Sequence, residues 1–156
     1  MNKAHEIKLY PTKSQEILLR KSCGVARFAF NWALSKWQED YKNGVKQSAY
    51  SLIKHLNSIK KLEFPWMQET GKTCSQYAIH HVEAAYKKMW KEKGGYPKFK
   101  KKGEKDSFVA IEKVQDFKQK DFKIWIPRIG WVKCSENLRF EGKVNNVTVK
   151  RVADMW

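Results

Sequence analysis

The chain has 156 residues, with 32 Lys and Arg against 16 Asp and Glu and a formal net charge of +16. Such an excess repels itself in the folded state and draws polyanions from a distance, while seven tryptophans and 13% aromatic residues exclude a disordered basic tail and supply a packed core. With no long apolar segment or signal peptide, nucleic acid is the expected partner and a membrane is not, because cations neutralise phosphates and ring faces stack on unpaired bases.

His5-Glu6-Ile7-Lys8-Leu9-Tyr10 alternates along its length, which predicts a short strand ended by Pro11. Thr12 followed by Gln15 is a capping-box pattern, hydroxyl and amide each able to satisfy a backbone donor, so a helix starts there. Ile17, Leu18, Val25, Phe28, Ala29 and Trp32 recur at helical spacing as far as Gly44. Gly24 in mid-pattern leaves two forms open, a single helix or two helices meeting at a bend in a helix-turn-helix-like start. Ser48 caps a second helix carrying Tyr50, Ile53 and Leu56, which Phe64-Pro65-Trp66 interrupts. A third runs from about Lys72 to Lys93, with Cys74, Ala78, Val82, Ala85 and Met89 on one stripe and Lys72, Gln76 and His80 on another.

Composition then shifts. Residues 94–106 form a basic linker rich in Gly and Lys, beyond which the helical period disappears. Ser107 to Ile111, Phe122 to Ile126, Ile129 to Cys134 and Val144 to Val152 are β-branched or alternating runs separated by turn signals. The expected architecture is α+β: strand 1–11, a helical lobe over 12–93, the linker, and strands over 107–156, with strands from both chain ends forming a small barrel and the lobe inserted between them. Cys23, Cys74 and Cys134 are widely spaced and odd in number, which fits a reducing cytoplasm, and with His5, His55, His80 and His81 they show no metal-ligand spacing.

The linker offers Lys98, Lys100, Lys101 and Lys102 to a nucleic-acid backbone, with Tyr96 and Phe99 interleaved for stacking or packing beside it. Arg27 can reach a phosphate from its helix. Phe28 and Trp32 read as core by their spacing, and Trp125, Pro127 and Trp131 as barrel packing. The acidic residues are scattered among lysines or helix starts, so no catalytic or metal-binding set is expected in this chain.

Several stretches, in one order, carry a family resemblance: Lys8-Leu9-Tyr10-Pro11-Thr12, the run from Ala26 to Leu34, Pro65-Trp66, Gly95-Tyr96-Pro97-Lys98-Phe99-Lys100, the run from Ile124 to Lys133, and Glu141-Gly142-Lys143 with Val147-Thr148-Val149. Through them the chain resembles the amino-terminal half of the TnpB family, transposon-encoded RNA-guided DNA endonucleases related to type V CRISPR effectors. The resemblance implies a wedge-like barrel with an inserted recognition lobe. Its partners would be a guide RNA and a target DNA, in a prokaryotic cytoplasm close to the nucleoid, with base pairing supplying most of the specificity. It also implies that Tyr50, Lys72 and Gln76 contact the short DNA motif beside the target, where an amide suits an adenine edge and an ammonium a guanine or phosphate. Further family contacts fall near Val109 and Ala110, whose apolar side chains cannot repeat them. The family's RuvC-like nuclease domain has no counterpart here, so this chain is expected to be a truncated form without enzymatic activity, needing no cofactor. Mg2+ is expected only in a full-length nuclease, and a separate chain is one source of that half. The competing reading is an autonomous helix-turn-helix DNA-binding regulator that uses no RNA.

Overall fold

The computed structural model describes residues 2–111 and 117–156. Strand β1 (Leu9–Tyr10) leads into α1 (Lys13–Lys42), α2 (Ala49–Glu63), a single-turn 3-10 segment (Pro65–Glu69) and α3 (Lys72–Glu92). Strands β2 (Ser107–Ile111), β3 (Gln119–Lys120), β4 (Lys123–Ile126), β5 (Gly130–Cys134) and β6 (Val147–Lys150) follow.

Helix α1 begins where the capping box predicts: Thr12 Oγ1 accepts from the Gln15 amide at 3.3 Å and Gln15 Oε1 accepts from the Thr12 amide at 3.0 Å. Of the two forms open at Gly24 the single helix is the one found, and α1 runs unbroken through it. A mid-helix glycine costs about 1 kcal/mol, but Cys23, Val25, Ala26, Ala29 and Phe30 are all buried around it, and their packing outweighs that cost. Ser48 caps α2 by the same reciprocal bonding with Ser51. Trp37 stacks on Tyr86 with ring centroids 5.0 Å apart, while nearer the helix starts the Ser22 side chain lies within hydrogen-bonding reach of the Cys74 thiol. Helices α1 and α3 therefore run parallel. The Ala49 amide donates to Glu83 Oε1 at 3.3 Å, so α2 returns antiparallel to both.

The strands form two antiparallel sheets, ordered β1-β5-β4-β3 and β2-β6. Only the last two residues of the expected 5–10 strand pair, Leu9 with Cys134 and Tyr10 with Lys133. Lys8 and Leu9 nonetheless hold the two chain ends together: the Lys8 carbonyl accepts from Ser135 at 2.9 Å, and the Leu9 amide donates to Trp156 at 3.0 Å. The predicted 144–152 strand shortens to Val147–Lys150, and Phe122 belongs to the β3–β4 turn. One core joins helices and sheets, with Leu19, Leu34, Leu56, Ile79 and Val82 continuous with Phe108, Ile111, Ile126 and Val132. Thr73 ties α3 to β2, its hydroxyl donating to the Ala110 carbonyl at 3.1 Å. The fold is α+β, with the helical lobe inserted between strands from the two chain ends.

Candidate nucleic-acid interface

The linker crosses α1 and is fastened there at two points. Asn31 clamps the Lys100 backbone reciprocally: its Oδ1 accepts from the Lys100 amide at 2.8 Å and its Nδ2 donates to the Lys100 carbonyl at 3.0 Å. Further along, Asp106 Oδ1 accepts from Arg27 Nη1 at 3.4 Å and from the Gly103 amide at 3.3 Å. The lysine run is thus carried on a fixed path instead of a free loop.

Fixing the path divides the lysines into two kinds. Lys98, Lys101 and Lys102 are exposed and take no part in the ion pairs found among the described residues. Lys100 is also exposed as a residue, but its ammonium lies 4.5 Å from the centroid of the Phe30 ring, and desolvation holds its pKa below the usual lysine value. The same crowded region depresses His81, through burial first and then the charges of Lys100 and His80. Tyr96 and Phe99 stand out from the path, 76% and 51% exposed.

Arg27 is not a free cation. Its side chain is 24% exposed and that of Asp106 16%, so the guanidinium is engaged in holding the linker against α1. On α3, Lys72 is exposed and Gln76 half-buried one turn further on, beside Tyr77, whose hydroxyl meets Asn146 at 3.5 Å. Tyr50, 76% exposed, does not join them. Its neighbour Ala49 bonds to Glu83, which lies about 16 Å along α3 from Lys72 at 1.5 Å rise per residue. Val109 and Ala110 are both buried, and the Ala110 carbonyl takes the Thr73 bond that ties β2 to α3.

The sheet corrects a further expectation. Ile124, Ile126 and Val132 point inward and are buried, whereas Trp125 and Trp131 pair directly across β4 and β5 on the opposite face. Trp131 is 43% exposed, and the Lys118 ammonium lies 5.0 Å from the centroid of the Trp125 ring. Neither ring packs a barrel interior. Period-2 alternation through Ile124-Trp125-Ile126 carried this signal, but ring size outweighed it.

Among the described residues no group of three or more His, Cys, Asp or Glu is placed to hold a metal ion. No helix of the described residues is long and apolar enough to cross a membrane. What the surface offers is fixed cation rows with exposed rings between them, which suits phosphates and bases.

Residues 1–46 match a family described as a helix-turn-helix domain, that of the OrfB proteins of IS605 elements. Over 158 aligned residues the chain is 29% identical to InsQ of Escherichia coli strain K12, which is named as an RNA-guided DNA endonuclease; the alignment covers 98% of this chain and 38% of that protein. The chain therefore spans well under half the length of this relative.

Proposed function

We propose that this chain, related through these matches to the TnpB family of RNA-guided endonucleases, is a nucleic-acid-binding module that grips a guide RNA and the guide–target heteroduplex and reads a short DNA motif beside the target. The observation that carries this reading is the linker: exposed cations at 98, 101 and 102, outside the ion pairs found among the described residues, on a path pinned by Asn31 and Asp106. Cations set at fixed spacing along a backbone track the phosphates of a duplex or strand without reading its sequence. Motif reading falls to Lys72 and Gln76 on α3, with Tyr50 at a separate point on the lobe. In this reading the two sheets are parts of a wedge-like barrel, strand cleavage and its Mg2+ belong to a nuclease portion outside these 156 residues, and the protein works in a prokaryotic cytoplasm close to DNA.

The matched helix-turn-helix family favours one second reading, a regulator that binds duplex DNA without RNA. The unbroken α1 weighs against it, because that motif needs a turn between two helices to seat one in the major groove. Purifying the chain from its native host and sequencing any bound RNA tests the two. A recurrent structured RNA supports the guide-binding reading; nucleic-acid-free protein that shifts one duplex sequence in a gel overturns it. In the RNA-loaded protein, Gln76→Ala should flatten preference at one position of a randomised target-adjacent library by about tenfold or more while leaving RNA affinity unchanged.

A further inference from the structure

The outer face of the four-stranded sheet has a composition that folding alone does not account for. Strand register places Tyr10, Lys133, Lys123 and Lys120 side by side across β1, β5, β4 and β3. One step along, Trp131 lies opposite Trp125, and Lys118 reaches over the Trp125 ring. Lys8 lies over Tyr10 in the same way, its ammonium 5.4 Å from the ring centroid. Cross-strand neighbours of like charge destabilise a sheet, yet Lys120, Lys123 and Lys133 adjoin one another and enter none of the ion pairs found among the described residues. The opposite face, with Leu9, Ile124, Val132 and Cys134, is buried, so the arrangement is a surface in its own right.

Resting on the reading that the chain binds nucleic acid, we infer that this face is a stacking platform for an unpaired strand, separate from the linker track and the motif-reading helix. Three features select the ligand. A row of cations outside the ion pairs of the described residues asks for a polyanion. Flat rings set between the cations ask for π-faces at that polyanion's own spacing, which unpaired bases supply and a closed duplex hides. The three inter-strand steps from Tyr10 to Lys120 span about 14 Å at roughly 4.8 Å each, room for more than one base. Binding exchanges partners: a base takes the face of Trp125 or Tyr10, and the lysine resting there swings out to the adjoining phosphate. Trp131 has no lysine on its ring among the described cation–π contacts and is open to a base from the start.

The test uses the full chain with a fluorescein-labelled oligouridylate of about 12 nucleotides, a length within the ~4–16 that single-strand-binding domains of the OB type cover, and a blunt duplex of equal length. Trp131→Ala with Trp125→Ala should weaken oligouridylate binding by about tenfold or more, with the salt slope and duplex affinity unchanged, and Trp131→Phe should restore most of the loss at its position. Because the double variant risks misfolding, Lys120→Gln, Lys123→Gln and Lys133→Gln form a second arm: the chain stays folded, melts no lower than wild type, and binds oligouridylate with a shallower salt slope. Single-strand affinity that survives both arms overturns the platform. So does equal binding to anionic lipid vesicles that the lysine variant abolishes, which would make the face a membrane surface. Wild-type protein that binds neither probe instead defeats the broader nucleic-acid reading, so the two failures are distinguishable.

Discussion

Replacing Lys98, Lys101 and Lys102 with Ala removes the linker's exposed cations while leaving the Asn31 clamp and the Lys100 contact with Phe30 intact. Each phosphate neutralised by a cation contributes about 0.7 to 0.9 to the slope of log affinity against log salt. Three lost contacts should therefore make the slope shallower by about 2 to 3. Between 50 and 200 mM salt, wild type should lose about 20- to 40-fold more affinity than the variant, at about 0.7–0.9 per contact. Fluorescence anisotropy with one labelled RNA across that salt range measures it. The control is a triple Ala variant at Lys54, Lys61 and Lys88, which are exposed on the helices and carry the same charge. If the linker makes the contacts, the control slope stays near wild type. Equal shallowing in both variants would mean that the protein's general field, not the linker, draws the polyanion, and an unchanged slope in the linker variant would reduce the run to solvated surface.

Asn31→Ala should loosen the linker without altering charge: losing two exposed hydrogen bonds at a combined ~1 kcal/mol should speed tryptic cleavage at Lys98 to Lys102 about fivefold, read by timed digestion. Arg27→Met should lower thermal stability by roughly 1–2 kcal/mol, because it strands a partly buried Asp106, yet leave the salt slope of RNA binding as it is; a shallower slope would return Arg27 to the phosphates. Burial pushes the Cys23 thiol up to about 12 and that of Cys74 to about 11, so both should resist alkylation at pH 8 until the chain unfolds. The same shifts set a pH dependence. An unfolded thiol ionises near pH 9, the folded one does not, and stability should fall as pH rises from about 9 towards 11, seen as a declining urea midpoint.

Local chemistry was legible in the residues, and long-range pairing was not. Thr12 with Gln15 announced a helix start because the capping box is complete within a few residues of chain. Ser107–Ile111 was found as a strand for the same reason, its residue types and bounding turns being local. Gly24 leaves the form of α1 open in the sequence because the buried residues that keep α1 straight find their partners on α3, far away in sequence. Arg27 reads as a phosphate ligand in the sequence, where its pairing with Asp106, 79 positions away, cannot be seen. The resemblance groups Tyr50 with Lys72 and Gln76, and only the antiparallel return of α2 shows how far Tyr50 stands from the other two. Trp125 and Trp131 were misjudged for a different reason: alternation with Ile124 and Ile126 put them outward, but large rings invite a core assignment when the partner strand is unknown.

The charge excess is distributed in a way that bears on function. Carboxylates of the described residues pair with cations on the helices and at the chain ends: Glu16 with Arg20, Glu69 with Lys21, Glu83 with Lys87, Glu6 with Lys150 and Asp154 with Arg151. Most of these pairs are solvent-exposed and individually weak, but together they moderate repulsion over the lobe and the seam between the termini. No such pairing reaches the sheet's outer face or the exposed linker lysines among the described residues, so repulsion between neighbouring lysines is left uncompensated at those two places. A polyanion bound at those two places relieves the repulsion as well as adding contacts, which makes ligand binding and fold stability linked quantities. Substitutions that neutralise the sheet lysines should accordingly favour the free fold while weakening its complexes, the signature of residues kept for binding at some cost in stability.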